Sequence, residues 1–297
     1  LVKKCPKCYA LATTGRPLSE GGDGHTANDA CFGHRRDEFA GIGPETAHKF
    51  VSFVPKEFID AVGEDLDELR GRPARKYKSE VPDAALKQCE SSHTAADGSR
   101  TKAGGHKHAD KGLCAIVCRH DVPLFYCNID TPGEQQKYAL GLLIWLMLHL
   151  PDNFTMMNLY DIGCVADKVV KSYEIMPPSL ESRIMFATSA MHAYAHEWEC
   201  QLVFSPRLKP GAGLTDGEGV ERLWSKLRKL IGILRHCSKN RRLVLLDRHM
   251  EWIAETMLPE QGSRLLSKWQ DLVAREEAAK KTVRTSGQSA EFLRAQW

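Results

Sequence analysis

The amino-acid sequence predicts an α/β fold in which helices alternate with the strands of a mixed sheet. Four short apolar runs have the length of β-strands, and they lie at 113–118, 124–129, 156–160 and 184–188. Between and after these runs, apolar residues recur every three or four positions, which is the spacing of helices. The chain has 297 residues, of which 42% are hydrophobic and 27% charged, so it can bury a large core and is not a disordered or disulfide-stapled protein.

The N-terminal part of the sequence differs in composition from the rest. Residues 1–48 are rich in Gly, Cys and His, and they include a CPKC motif at 5–8. Apolar residues at helical spacing predict helices within 55–93. The stretch 94–112 contains almost no large apolar residue, so we expect a flexible loop there.

The middle of the chain is expected to form the first part of the sheet. Only residues 119–123 separate the strands at 113–118 and 124–129, which predicts a β-hairpin. A helix is expected next at 134–150. Its 12-residue apolar run, which ends before Pro151, is too short to cross a bilayer.

The remaining strands and helices complete the predicted order. The strand at 156–160 leads directly into Asp161, and two helices are expected after the last strand, near 190–203 and 216–235. The resulting order, β-β-α-β-α-β-α, is typical of an α/β architecture with helical insertions.

Charge is unevenly distributed along the chain. The formal net charge is only +3, but residues 221–297 carry 16 basic against 9 acidic side chains, and residues 1–220 carry 25 against 29. Ten scattered Cys residues indicate reduced thiols or metal ligands in an intracellular setting. Leu1 stands where a complete chain has Met, so we expect this sequence to be a piece of a longer protein.

Two acidic positions are candidates for a two-metal site, in which carboxylates from separate elements hold divalent cations. Asp161 is one, because it follows a strand; a turn former or helix cap is the alternative. Thr215 and Glu218 have the spacing of a capping box, which predicts a helix start at Asp216. Glu221 lies off the apolar stripe of that helix and has no such structural role, so it is favoured over Glu218; a helix-dipole partner is its alternative.

Histidine and cysteine residues form a second kind of candidate site. His192, His196 and Cys200 have i, i+4, i+8 spacing on the helix predicted near 190–203, opposite a stripe of larger side chains, and could bind zinc. Cys118 and His120 could complete this site, and a buried polar helix face is the alternative. Cys5 and Cys8 form half of a zinc site, whose other half lies before residue 1 or is Cys31 with His34.

A run of basic residues follows the acidic candidates directly. Residues 222–242 contain eight Lys or Arg and no acid. Such a surface is suited to neutralising nucleic-acid phosphates, whereas a solvated helix face is the alternative. The candidate DNA-contacting residues are Arg222, Lys226, Arg228, Lys229, Arg241 and Arg242.

Several long motifs, in order, resemble one known family. They are CAIVCRH at 114–120, the run PLFYCNIDTPGEQQKYALGLL at 123–143, LYDIGC at 159–164, the segment from MHAYAHEWEC to DGEGVERLWS at 191–225, and RRLVLLDRHME at 241–251. Over about residues 5–255 the chain is similar to the Kyakuja-Dileera-Zisupton (KDZ) transposases, of the fungal type with a cysteine-cluster flank. The resemblance implies an RNase H-like fold, an Asp-Asp-Glu metal triad, and cut-and-paste chemistry on DNA.

The resemblance also implies roles for particular residues. Asp161 in YDIGC corresponds to the second catalytic acid, and Glu221 or Glu218 to the third. The first acid is expected on the first strand, where NDACF at 28–32 supplies Asp29; this segment departs from the family's DGNF form, and Asp23 is the alternative.

The resemblance places His192, His196 and Cys200 in a structural or metal-binding motif. It also divides the chain into the end of a cysteine-rich flank (1–20), an RNase H-like domain (21–255) with a helical insertion at about 50–112, and a helical extension (256–297).

The leading hypothesis is therefore a nuclear DDE transposase that uses two Mg²⁺ or Mn²⁺ ions at Asp29, Asp161 and Glu221, with structural zinc. DNA is the expected partner; homo-oligomers are compatible with this hypothesis and a membrane is not expected. The second hypothesis is a decayed or domesticated transposase that only binds DNA and zinc. The third is a thiol or zinc hydrolase built on His192, His196 and Cys200.

Overall fold

A computed structural model describes residues 1–75, 77–96, 107–133 and 135–296. The chain forms two compact units, Leu1–Ala254 and Glu255–Trp297. Within the described ranges, no helix combines the length and apolar character that crossing a membrane requires.

The strands form one five-stranded sheet and one small two-stranded sheet. The strands are β1 (Gly24–Cys31), β2 (Arg36–Asp37), β3 (His108–Asp110), β4 (Gly112–Cys118), β5 (Pro123–Ile129), β6 (Met156–Tyr160) and β7 (Ile184–Ala187). The large sheet has the order β5-β4-β1-β6-β7, and β2 pairs with β3.

The helices surround the large sheet in the first unit and make up the second unit. They are α1 (Pro6–Tyr9), α2 (Lys56–Arg70), α3 (Asp83–Ala96), α4 (Gln136–Met147), α5 (Gly163–Tyr173), α6 (Pro178–Glu181), α7 (Trp198–Phe204), α8 (Gly219–Leu227), α9 (Ile231–Arg235), α10 (Lys239–Met257), α11 (Gln261–Thr285) and α12 (Ala290–Gln296). Single 3₁₀ turns occupy Leu18–Glu20, Glu38–Ala40, His192–Ala195 and Arg228–Leu230.

The large sheet is mixed, which confirms the predicted α/β class. Strand β1 is antiparallel to β4 and parallel to β6, while β4–β5 is antiparallel and β6–β7 parallel. The sheet thus has three antiparallel strands followed by two parallel ones, with the first strand in the centre, and the RNase H-like fold that the resemblance implies stays a prediction. The β4–β5 pair is the predicted hairpin, and its turn places Asp121 at a positive φ of 65°.

Strand β1 separates two layers of helices because its side chains alternate between the two faces of the sheet. Even positions point towards α4, where Asn28 Nδ2 donates to the Ala139 carbonyl at 3.1 Å. Odd positions face the opposite side, where the His25 ring lies 2.7 Å from Thr215 Oγ1. On that side α8 packs across β1 and β4, so any acid at an odd position of β1 faces α8.

The helices predicted within 55–93 are α2 and α3. Helix α2 packs on α4, which covers β4 and β5, and α3 contacts α5 and α7. Part of the loop predicted at 94–112 lies outside the described residues, at 97–106; the strands β3 and β4 begin at His108 and Gly112. The helix predicted at 134–150 is α4, and Glu134 also lies outside the described residues.

Two predicted helices differ from the structure. The helix expected near 190–203 is broken: a 3₁₀ turn ends at Ala195, His196 has extended backbone angles, and α7 begins only at Trp198. The helix expected at 216–235 begins at Gly219 and is interrupted by the 3₁₀ turn. In the first segment and at the start of the second, side-chain contacts described below replace the expected regular turns.

Candidate functional site

Asp29 and Asp161 lie beside each other at the carboxyl ends of the two central parallel strands. The register pairs Asn28 with Tyr160, so the next position on each strand is Asp29 and Asp161 respectively. Neighbouring parallel strands are about 4.8 Å apart, and positions in register point to the same face. The fold therefore brings these two predicted acids together, on the face of the sheet that α8 covers.

Helix α8 brings Glu221 to the same edge of the sheet. Trp224, one turn after Glu221, donates its indole N–H to Asp29 Oδ2 at 3.1 Å. The pKa of the Cys31 thiol is raised, first by burial and further by the negative charges of Asp29 and Glu221. The charges of Asp29 and Glu221 thus both act on Cys31, and the Glu221 side chain is exposed.

Asp161 has the most crowded surroundings of these acids. Burial raises the pKa of its carboxyl group, and the charges of Glu218 and Glu221 raise it further, while His192 and Ser189 oppose this shift. Asp161 Oδ1 lies 3.1 Å from His192 Nδ1 and accepts a hydrogen bond from Ser189 Oγ at 3.2 Å. A carboxylate that is repelled by two others is one that a divalent cation would stabilise.

The capping box predicted for Thr215 and Glu218 is wrong. Glu218 occupies the N-cap position of α8 without a side-chain cap bond. Its Oε1 instead accepts the Met191 amide at 2.8 Å, and the Thr215 hydroxyl contacts His25. Tertiary contacts thus replace the local cap for both side chains. Glu218 is occupied by its hydrogen bond to Met191, whereas the Glu221 side chain is exposed.

The carboxylates form an open group rather than a closed cage. Among the described residues, no three carboxylates have ligand atoms that all lie within 4.8 Å of one another. The alternative first acid, Asp23, is at the wrong edge of the sheet: it precedes β1 and accepts the amides of Gly15 at 2.7 Å and Thr155 at 2.9 Å. Asp29 is thus the acid of the first strand that lies beside Asp161.

One cysteine and histidine group, which we call the N-terminal Cys₃His site, consists of Cys5, Cys8, Cys118 and His120. Its ligand atoms all lie within 4.8 Å of one another. The His120 Nδ1 atom is 3.5 Å from Cys5 Sγ and 3.2 Å from Cys8 Sγ. The β4–β5 turn therefore supplies the second half of the CPKC site, and the expectation that Cys31 with His34 supplies it is wrong.

A second group, which we call the central Cys₃His site, consists of Cys89, Cys164, His196 and Cys200. Cys89 Sγ is 3.6 Å from Cys200 Sγ, and Cys164 Sγ is 3.4 Å from His196 Nδ1. The three predicted ligands do not share a site, because the broken helix turns His192 towards Asp161. Cys118 and His120, expected here, belong to the N-terminal Cys₃His site instead.

Sequence reasoning missed Cys89, Cys164 and Ser189 in these sites. The sequence did offer an indication for Cys164: it follows Asp161 by three positions, so it is expected near the same edge of the sheet. Cys89 lies in the helical insertion and has no motif around it, so only tertiary structure reveals it. Because His192 is separated from His196 and Cys200, the thiol or zinc hydrolase hypothesis has no assembled site.

Both Cys₃His sites have the donor spacing of tetrahedral zinc. Bonds of about 2.3 Å to sulfur and about 2.1 Å to nitrogen give ligand–ligand edges of roughly 3.6–3.8 Å, close to the observed separations of 3.4 and 3.6 Å in the central site. All ten cysteines are free thiols. Hydrogen bonding with Cys164 lowers the pKa of Cys89 to about 5 and that of Cys200 to about 7, while it raises the pKa of Cys164. Two of the three thiols therefore favour the metal-binding thiolate. The donors therefore fit zinc.

Five of the six basic candidates have exposed side chains, namely Arg222, Lys226, Arg228, Lys229 and Arg241. Arg222 forms a bidentate pair with Asp121, with both distances 2.7 Å, and also contacts Asp216. The prediction for Arg242 is wrong, because this side chain is 0% exposed and donates to the His34 carbonyl at 2.7 Å, so it cannot reach a phosphate.

Comparison with known proteins identifies one family. The sequence profile of the Kyakuja-Dileera-Zisupton transposases matches residues 23–253, which include β1–β7 and the acidic edge of the sheet. No curated protein and no solved structure matches the chain. Since the match covers more than half of the sequence and contains the motifs quoted above, the chain belongs to the Kyakuja-Dileera-Zisupton transposase family.

Proposed function

We propose that this chain cleaves DNA strands and joins them by two-metal chemistry, with Asp29, Asp161 and Glu221 as the metal-binding acids. The observation that carries this proposal is the register of β1 and β6, which aligns Asp29 with Asp161 on the face covered by α8. Ligands at the carboxyl ends of strands are typical of α/β enzymes, and the family is a transposase family.

No three carboxylates among the described residues have ligand atoms within 4.8 Å of one another, and two ions can bridge such a separation more readily than one. The metals of such sites are about 3.5–4 Å apart, and each metal–oxygen bond is about 2 Å, so outer ligands span up to roughly 8 Å. Carboxylate oxygens are the ligands that Mg²⁺ and Mn²⁺ prefer. Glu221 is proposed as the third acid because its side chain is exposed and its charge acts on Asp161, whereas Glu218, whose charge acts on Asp161 more strongly, already accepts the Met191 amide.

The residues around the acids orient them for this chemistry. When bound, the two ions would activate water, and then a DNA 3′-hydroxyl, for in-line attack on a phosphodiester and would stabilise the leaving oxygen. The Trp224 N–H fixes one oxygen of Asp29, and Ser189 and His192 hold one oxygen of Asp161.

The proposed substrate is nuclear DNA, bound by two copies or more at the ends of the element. Exposed basic side chains from Lys226 to Arg241 supply phosphate contacts beside the acidic edge. The two Cys₃His sites are proposed to hold one structural Zn²⁺ each, since buried soft donors at tetrahedral spacing suit zinc and not magnesium.

The test is Mn²⁺-dependent cleavage and joining of duplex DNA that carries the terminal repeats of the element. We expect Asp161→Asn to abolish both products while leaving zinc content and folding unchanged. Asp152→Asn is the matched control: it removes an exposed carboxylate just before β6, at the opposite end of the strand, and should retain activity. Cleavage that survives Asp161→Asn contradicts the proposal.

The second candidate function is DNA and zinc binding without cleavage. The observation that favours it is the absence of a closed three-carboxylate group among the described residues. The same assay separates the two candidates. Salt-sensitive DNA binding by a wild-type chain that yields no cleavage product with Mn²⁺ would support this second candidate.

A further inference from the structure

The central Cys₃His site is connected to Asp161 through both the chain and a hydrogen bond. Cys164 lies in the first turn of α5, three residues after Asp161. The His196 ring, whose Nδ1 faces Cys164 Sγ at 3.4 Å, hydrogen-bonds to the backbone carbonyl of Asp161. One side of this ring therefore faces the metal donors while the ring also restrains the backbone of a proposed catalytic acid.

The turn after Asp161 has no space to move towards β7. A Cβ atom on Gly163 would lie 2.2 Å from the Ala187 carbonyl oxygen, so this backbone packs directly on the last strand. The segment that follows β7, which we call the β7–α7 segment (residues 188–197), is the other wall of the site.

The β7–α7 segment contacts two acids at once. Ser189 and His192 contact the Asp161 carboxylate, with distances of 3.2 and 3.1 Å, and the Met191 amide donates to Glu218 at 2.8 Å. At its start the segment is fixed where the Thr188 amide donates to the Phe204 carbonyl at 2.9 Å. At its end it is held by His196 and, through α7, by Cys200 in the central Cys₃His site.

Asp161 needs such support, because the charges of Glu218 and Glu221 repel its ionised form. A ligand held in one geometry binds a cation more tightly than one that must first be ordered. Changes to groups that orient metal ligands typically weaken metal binding by about 10–100-fold.

We propose that the central Cys₃His site, when it holds zinc, positions Asp161 for the divalent metals of the acidic site, with His196 as the positioning residue. Occupancy of the central site thus sets the affinity of the acidic site for Mg²⁺ or Mn²⁺. This inference rests on the proposed function, since it takes Asp161 to be a metal ligand. The N-terminal Cys₃His site has no comparable connection to Asp161 among the described contacts.

The test measures Mn²⁺ affinity of the zinc-loaded chain by electron paramagnetic resonance, with zinc content determined on the same samples. His196→Cys offers four thiols to zinc but removes the ring that hydrogen-bonds to Asp161. We expect two zinc ions per chain and Mn²⁺ binding weakened by about 10–100-fold. His120→Cys makes the same change in the N-terminal Cys₃His site and should leave Mn²⁺ affinity at the wild-type value.

Two further variants keep the test decisive if His196→Cys does not fold. Cys200→His retains His196 and four zinc donors, and we expect wild-type Mn²⁺ affinity. Cys89→Ser removes a donor on α3, outside the β7–α7 segment, and we expect one zinc ion per chain together with weakened Mn²⁺ binding. Unchanged Mn²⁺ affinity in either His196→Cys or Cys89→Ser would overturn the inference.

Failure of the proposed function gives a different result. If Asp161→Asn binds Mn²⁺ as tightly as the wild type, Asp161 is not a metal ligand, and the proposed function itself is wrong. If only Asp161→Asn weakens binding, the acidic site stands and the positioning role of His196 does not.

Discussion

The two Cys₃His sites and the acidic edge of the sheet gather metal ligands in opposite ways. In each Cys₃His site four donors lie within 4.8 Å of one another and most are buried, whereas Glu221 at the acidic edge is exposed and no closed carboxylate group forms among the described residues. Cysteines can approach one another because some of them stay protonated until a metal binds, as the raised pKa of Cys164 indicates, whereas ionised carboxylates repel. A structural site can thus be assembled by folding alone, while a catalytic site stays open for its ions and substrate.

The largest expected effect, on zinc content and melting temperature, concerns the Cys₃His sites. Cys118→Ala should lower zinc content from two ions per chain to one and reduce the melting temperature by about 10 °C or more. A loss of about 4 kcal/mol is modest for a structural zinc site, and each kcal/mol corresponds to roughly 2–4 °C in a domain of this size. Metal analysis and thermal unfolding provide the measurement.

Cys31→Ala is the matched control for this comparison. Cys31 was a candidate partner of Cys5 and Cys8, but it lies at the end of β1 outside both sites. We expect its variant to retain two zinc ions. Zinc loss in Cys31→Ala, with retention in Cys118→Ala, would show that the N-terminal Cys₃His site is assigned to the wrong residues.

Two adjacent arginines allow the effect of removing a buried charge to be compared with that of removing a surface charge. Arg242 is fully buried and pairs with Asp110 at 3.4 Å, so Arg242→Ala should lower the free energy of unfolding by about 3–5 kcal/mol. Arg241 is exposed, and Arg241→Ala should change that free energy by less than about 0.5 kcal/mol while weakening DNA binding. Urea unfolding and DNA titration test both, and equal stabilities for the two variants contradict the assignment.

A buried histidine that belongs to neither Cys₃His site tests whether low pH destabilises the core as well as the zinc sites. Burial, with the nearby Arg242, lowers the pKa of His34 to about 4, and neither of its ring nitrogens has a hydrogen-bond partner among the described residues. The unfolded chain, in which a His titrates near 6.5, binds this proton first. Unfolding free energy should therefore fall by about 3 kcal/mol between pH 6.5 and 4 because of His34.

His34→Phe should remove this part of the pH dependence. Its ring can still pack beside Trp224, whose centroid lies 6.0 Å from that of His34, and stability at pH 7 should be maintained. Urea unfolding from pH 7 to 4 gives the comparison. An unchanged pH slope would mean that the pKa of His34 is the same in the folded and the unfolded chain.

The smallest expected effect is at the DNA-facing surface. Lys229→Ala should weaken DNA binding and make the slope of log K against log salt less negative by about 0.9, the value for one lost phosphate contact. Lys87→Ala, an exposed lysine on α3, should leave the slope unchanged. Equal slopes for Lys229→Ala and the wild type would remove this residue from the proposed DNA surface.

The sequence allowed prediction of features with local causes. Apolar runs revealed the strands β4 to β7, and the short connection at 119–123 revealed the hairpin. Motif resemblance singled out Asp161, the Glu218–Glu221 segment and Asp29 on the first strand, and their catalytic roles stay predictions. These features follow from residues close together in the chain.

Features with tertiary causes were not predictable in this way. His196 and Cys200 fit a helix spacing, yet Cys164 and Cys89 draw them into a site that breaks the helix. The apolar stripe opposite them is exposed, with Tyr194 at 77% and Trp198 at 66%. Arg242 reads as one of several surface charges, but its partners come from 100 or more positions away. No local spacing encodes such partners.

The central claim is that Asp29, Asp161 and Glu221 form one divalent-metal site, and a crystal structure grown with Mn²⁺ tests it most directly. The anomalous difference map is predicted to show two Mn²⁺ ions about 4 Å apart, with oxygens of all three carboxylates bound to them. Carboxylates separated by more than roughly 8 Å, with no Mn²⁺ between them, would contradict the account.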